Sequence, residues 1–448
     1  MQNLVYIVLL ISLSSIAQVE GKIKFHILRQ YDELESFKSD ERSFYSTLKY
    51  FSLGERSFAS FGGSFRFQAE SFYREQFTNE GLTDHLWFLN RFMFHSFWNL
   101  NDDLKLFLEL NSGTVLSKPI VSPVDKDVLA INQLFVQYQI NESLAFQIGR
   151  ENLMLGSRRL VDIREGPNVR RSFDIIRFNY EISRLSGTLL FGRPVVIKSE
   201  IFDNSFFDNE ETLLGVFNSF HIDKRQGLDV YWLFQDDQFA RYNSLTAGEK
   251  RHSLGLRHFG NLGLTTINNE LVYQFGNHGS KTISAWTLSI NLEHTLSIMD
   301  LNALIGVKTE FISGDKNPED NKQNTFDALY PRGAYFGRVA RFGPANLIDL
   351  HPYASMQYDD WFIELDYDAF WRYSLEDAVY NAALFPEYLQ NENHPFIAHQ
   401  LGGLINYKAN DFWSLELESN IIFPGQFLKA GNRDRTLFHF VLTSEVKF

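Results

Sequence analysis

No cysteine occurs in the 448 residues. That excludes disulfide scaffolds, thiolate-bound metals and cysteine nucleophiles together. A basic surface is missing as well. The net charge is −13, opposite in sign to what a general nucleic-acid binder needs to displace counterions, so no nucleic-acid partner is expected. No apolar run approaches the roughly 18 residues of a membrane-crossing helix. Catalytic signatures are absent too: there is no His-Glu-x-x-His, no Gly-x-Ser-x-Gly and no Walker-type phosphate loop. The reading is therefore not an enzyme, with no cofactor. His394 and His399 have loop-to-strand spacing and no third ligand nearby, which fits exposed or structural histidines better than a metal site. The Asp315–Asp320 stretch carries oxygens of the type calcium uses, but a solvated acidic loop is the plainer reading.

What the chain does have is apolar and aromatic weight. Hydrophobic residues make up 44%, and the 15% aromatic content is led by 43 Phe, so the chain is neither disordered nor collagen-like. Leu4–Leu13 is apolar and is followed by Ser15-Ile16-Ala17, a small-x-small cleavage pattern. Ten residues are too few to span a bilayer as a helix, which takes about 20. Residues 1–17 therefore read as a secretory signal peptide, although Met1–Asn3 lacks the usual basic residue. The competing reading is the start of a buried strand or helix.

Residues 18–58 are polar and mixed, and read as an N-terminal periplasmic arm. From about Phe61 the period changes to two. In the segment Trp361–Ala369, Trp361, Ile363, Leu365 and Tyr367 share one face, while Glu364, Asp366 and Asp368 share the other. Asn132–Ile140, Phe412–Ile421 and Leu437–Phe448 alternate in the same way. Such segments number about eighteen, with tight turns such as Asn101–Asp103, Asp223–Gln226 and Asp359–Asp360 between them. Long links at 113–129, 151–172, 238–250, 313–347, 373–396 and 423–434 alternate with the tight ones. A soluble sandwich has no reason to sort its connections by length into two ends. The pattern predicts an all-β chain: a transmembrane antiparallel barrel of about eighteen strands, of the outer-membrane type, over 59–448. Its outer face would meet outer-membrane lipid and lipopolysaccharide. The terminal aromatic Phe448 is the kind of signal that barrel-assembly machinery reads.

Between Gly149 and Arg177 stand Arg150, Arg158, Arg159, Arg164, Arg170, Arg171 and Arg177, against Glu151, Asp162, Glu165 and Asp174. Arginine holds carboxylate or phosphate through a planar fork and never deprotonates, and rings of it select anions in pores. A solvated loop, or arginines paired on the wall, is the plainer alternative. Strand parity puts Arg177 with Asn179 and Glu181 on an inner face. Arg150 falls in line with Phe146 and Ile148: either the strand ends by Gly149 or Arg150 is not luminal.

The block from Gly149-Arg150-Glu151 through Gly156, Arg159-Leu160-Val161 and Pro167-Asn168 to Arg170-Arg171-Ser172-Phe173-Asp174 resembles the hallmark of the alginate export family. Phe61–Arg66, Asn324–Asp327, Asn346–Pro352, Phe370-Trp371-Arg372 and Pro424–Leu428 follow in the family's order. The resemblance implies an eighteen-stranded barrel that passes the anionic polysaccharide alginate through an arginine-lined lumen. By position it implies Arg66, Arg150, Arg159, Arg170, Arg171 and Arg372 as constriction residues, with Glu151 and Asp174 as acidic partners holding them upright. An alginate-like polymer and periplasmic polysaccharide-handling proteins are the partners it implies. A porin for uptake of small anions or oligosaccharides stands as the alternative, and a plugged barrel acting as enzyme or adhesin as the third reading. No turn on the periplasmic side is long enough to plug the pore, so gating is expected from loop 313–347 or 373–396.

Overall fold

The period-two segments form a closed wall. The computed structural model describes residues 24–38, 43–80, 83–298, 301–389 and 393–448; the expected signal peptide lies outside them. The first nine barrel strands are β1 Phe58–Tyr73, β2 His85–Asn99, β3 Leu104–Leu116, β4 Asp127–Asn141, β5 Leu144–Glu151, β6 Phe173–Ile182, β7 Leu185–Pro194, β8 Thr212–His221 and β9 Gln226–Tyr242. The other nine are β10 Leu245–Leu262, β11 Thr265–His278, β12 Lys281–Ile298, β13 Leu301–Ile312, β14 Leu347–Tyr358, β15 Trp361–Arg372, β16 Phe396–Lys408, β17 Trp413–Pro424 and β18 Leu437–Lys447. Each pairs antiparallel with its neighbour in sequence, and β18 closes on β1 from Ser64↔Lys447 to Tyr73↔Phe438. Closure leaves no strand edge unpaired, the condition for backbone in hydrocarbon.

Side-chain parity follows the sequence pattern. On β15, Trp361 and Leu365 are exposed on the outer face, whereas Asp368 and Arg372 are buried inside. Trp361 stacks on Tyr407 at 4.5 Å, and the exposed Tyr138, Tyr358 and Trp413 lie at the same end of their strands. Aromatic rings at that depth suit a membrane–water interface.

One end of the barrel carries short turns, including 142–143, 183–184, 263–264 and 359–360. The other carries links of 74–84, 117–126, 152–172, 195–211, 313–346, 373–395 and 425–436. The expected long link at 238–250 is absent. There β9 and β10 run on for 17 and 18 residues, with a bulge between Asp237 and Ala240, and meet at Asn243–Ser244. Residues 279–280 make an equally short turn at the same end. Polar residues misled the sequence reading here because Glu249 and Arg251 turn inward and pair with each other, both buried.

Two long links fold into the barrel. Asp162 N donates to Tyr330 O at 2.9 Å and Tyr330 N to Leu160 O at 2.8 Å, so 152–172 and 313–346 are joined by backbone inside the wall. Arg251 and Gln274 reach from the wall to the carbonyls of Thr325 (3.3 Å) and Asp327 (2.6 Å). Val161, Phe326, Tyr330, Phe336 and Phe342 pack there against wall residues such as Tyr231 and Phe370, and this cluster is the protein's main apolar core. Both expected gate loops take part: 313–346 enters the barrel and shares the interior with 152–172, and 373–395 packs onto it, with Val379 and Tyr388 in the same cluster and Asp377 accepting from Asp315 N at 2.7 Å.

The N-terminal arm crosses the short-turn end. Helix α1, Phe44–Lys49, is capped by Ser43, whose hydroxyl accepts from Ser46 N at 3.0 Å. Arg29 donates to the carbonyls of Gly63 and Phe448 at 3.1 Å each, and Tyr45 sits edge-on to Phe412 at 5.2 Å.

Candidate functional site

Even-numbered side chains of β1 and odd-numbered ones of β2 face inward, which places Arg66 opposite Arg91 in register. Loop 152–172 brings Glu165 and Arg170 to the same point. Arg66 donates to the carbonyls of Glu165 at 2.8 Å and Pro167 at 2.6 Å. The Glu165 carboxylate accepts from Arg91 on one oxygen and from Arg170 on the other, with Arg66 3.9 Å away. Three guanidinium groups thus surround one carboxylate, and the side chains of Arg66 and Arg91 are almost wholly buried. Burial alone would raise the Glu165 carboxyl, but Arg170, Arg91 and Arg66 outweigh it and hold the group well below the usual carboxylate range. Glu445 of β18 stands 3.7 Å from Arg91, and Arg170 also donates to Ile27 O of the arm at 3.2 Å.

The remaining sequence candidates separate into three fates. Arg159 spans the interior to Glu270 (3.2 Å) and Glu310 (2.9 Å), on β11 and β13. Arg171 donates to Pro331 O at 3.2 Å, and Arg372 to the carbonyls of Leu375 and His394 at 3.0 Å each, so these two hold loops in place. Arg177 faces inward and pairs with Glu151 at 3.0 Å. Arg150 and Asp174 do not line the interior. They face outward on β5 and β6, bonded to each other at 2.8 and 3.0 Å. Link 195–211 folds over the outside of the wall and buries them, with Asn204 O and Ser205 O accepting from Arg150 at 3.1 and 3.0 Å and Phe206 4.1 Å from its guanidinium. The strand reaches Glu151, so Arg150, in line with Phe146 and Ile148, points its side chain outward. Asp174 consequently steadies an outer-wall arginine, not a constriction residue.

Sequence reasoning did not single out Arg91. Its signal was available as parity in a strand where Trp87, Leu89, Met93 and His95 are the buried partners on the same face. The His399 ring meets the Tyr367 hydroxyl, and the His394 carbonyl accepts from Arg372. In the Asp315–Asp320 loop, Asp315 and Asn317 accept from the backbone two residues on, at 3.4 and 3.1 Å, as turn-forming side chains do.

Residues 57–441 match the alginate export family. The chain belongs to that family. No curated protein matches it. Among solved structures it is similar to OpdQ of Pseudomonas aeruginosa, at 10% identity and a TM-score of 0.57 over 88% of this chain and 97% of that one. A BenF-like porin from Pseudomonas fluorescens Pf-5 gives 9% and 0.56 over 87% and 99%. Pseudomonas aeruginosa OccK3 (OpdO) gives 9% and 0.55 over 87% and 95%. At such identities the likeness is one of fold. Family and fold together make this an outer-membrane channel, not an enzyme.

In this family member the interior is divided. A cavity of about 320 Å³ opens toward the short-turn end and is lined by Arg29, Arg66, Glu165, Arg170, Arg338 and Glu445, among others. A second, of about 260 Å³, lies nearer the long links and is lined by Glu70, Trp87, Lys118, Pro167, Arg338 and Arg341, among others. Glu165 to Pro167 stands between them. Arg338, from the inward loop 313–346, borders both and is held by Glu416 at 2.5 Å and Glu418 at 3.3 Å. Anything crossing the barrel along β1 must pass the three-arginine cluster and displace what now fills it.

Proposed function

We propose that the chain is an anion-selective channel for passive passage of an acidic polysaccharide such as alginate. The observation that carries this reading is the convergence of Arg66, Arg91 and Arg170 on the Glu165 carboxylate. A uronate carboxylate has the same charge and the same two oxygens as Glu165, so the polymer would exchange with it rather than strip three arginines bare. Such exchange keeps binding weak at each step, as conduction requires. By the usual polarity of these barrels the short turns face the periplasm, where the arm and Arg29 meet the polymer first. Residues 1–17 would deliver the chain there as a signal peptide.

Uptake of small anions or oligosaccharides is the second reading. It is favoured by cavity size, since 320 and 260 Å³ suit a sugar or two better than a continuous polymer unless the inward loops move. Reversal potential in a planar bilayer under a salt gradient tests the shared chemistry. Anion selectivity that weakens in R91Q and R170Q supports it, and cation selectivity or unchanged selectivity in both variants refutes it. Block by long but not short uronate oligomers then favours the polymer over the small solute.

A further inference from the structure

A second cluster of titratable groups lies on β14 and β15, separated from β1 along the wall by β16 to β18. The alternation Asp349-Leu350-His351 on β14 points Asp349 and His351 inward together, and Asp368 on β15 lies beside them. One ligand-type atom from each of the three lies within 4.8 Å of the others. Asp349 and Asp368 are 1% and 0% exposed, and His351 Nδ1 is 2.6 Å from Asp368 Oδ1. The Asp349 Oδ1 atom is buried with no hydrogen-bond partner among the described residues.

We propose that Asp349, His351 and Asp368 bind a first-row divalent cation of the zinc type. Two buried carboxylates share one imidazole, an excess of ligand oxygens suited to a bound cation. Buried charges are otherwise paired or bound to metal. Lys308, across from His351 in register, lies over the Tyr353 ring at 4.2 Å, and Arg159 is bound to Glu270 and Glu310; among the described residues neither makes an ion pair with Asp349 or Asp368. Gln400 donates to Asp368 Oδ2 at 3.0 Å and to Phe336 O at 2.8 Å, which orients the carboxylate as an outer-shell partner orients a ligand. One nitrogen with two oxygens suits zinc better than calcium, which takes oxygen alone. Three protein ligands leave a coordination position for water or a solute carboxylate.

The test uses the untagged full chain, refolded in detergent, stripped with chelator and dialysed against zinc or calcium, with bound metal measured by mass spectrometry. About one zinc per chain is expected, lost at least tenfold in H351A and in the double variant D349N/D368N. The double variant removes charge repulsion and should fold, so a loss there is not a loss of structure. Q400A should weaken zinc roughly tenfold. No stoichiometric zinc overturns the proposal, as does a preference for calcium, or zinc retained in both ligand variants. Metal content is independent of conductance, so the site and the channel reading fail separately.

Discussion

Lys49 offers a test of whether the arm is held in the mouth of the barrel. It ends helix α1 and is 1% exposed, and its ammonium has no hydrogen-bond partner among the described residues, with the Phe25 and Tyr45 rings 5.8 and 5.6 Å away. Burial pushes it from 10.5 down to about 7, with Arg29 adding to the shift and Asp32 opposing it. A released arm would titrate Lys49 near 10.5. Between pH 7 and 10.5 the released state therefore binds more protons than the docked one, and docking tightens as pH rises. Each pH unit is worth about 1.4 kcal/mol, so the whole window is worth roughly 5 kcal/mol, with no further change below pH 7. Because the chain lacks cysteine, S36C places a single spin label on an exposed arm position. Label mobility should fall from pH 7 to pH 10 in the parent chain. In K49M it should be low throughout, since the charge is gone and the packing is kept. Equal mobility in both proteins across that range, or a looser arm in K49M, would refute the reasoning.

Three further outcomes follow from the same contacts. Deleting residues 24–50 should raise single-channel conductance, because the arm no longer crosses the mouth beside Arg170; unchanged conductance would show that the inward loops alone set the resistance. E165Q leaves three guanidiniums with one fewer counter-charge, so anion selectivity in the reversal-potential assay should increase. D174A strands the buried Arg150 on the outer wall and should cost about 3–5 kcal/mol in a denaturant titration while leaving ion selectivity unchanged.

The candidate site was only partly legible in the sequence. Arg66 and Arg170 stood on recognisable motif positions, but Glu165 entered the sequence reading only as an acid among arginines. Its role depends on Arg66, which is 99 residues away in the chain and meets it only once the loop has turned inward. Arg150 and Asp174 stood on motif positions like their neighbours, and only the parity of Arg150 pointed outward; link 195–211 covers both on the outer side of the wall.

Strand parity and link length are local properties, carried by each segment whatever its neighbours do. They are enough to count eighteen strands, to close them, and to turn Arg177, Glu364, Asp366 and Asp368 inward. The destination of a loop is not local. Whether 152–172 and 313–346 lie over the rim or inside the barrel depends on burying Val161, Tyr330 and Phe336 against a wall assembled from distant strands. The arm's place at the short-turn end likewise depends on Gly63 and Phe448, which come together only when β18 closes on β1. Local patterning along the chain suffices for the wall. What fills it, and which arginines meet there, was decided by contacts that exist only in the closed barrel.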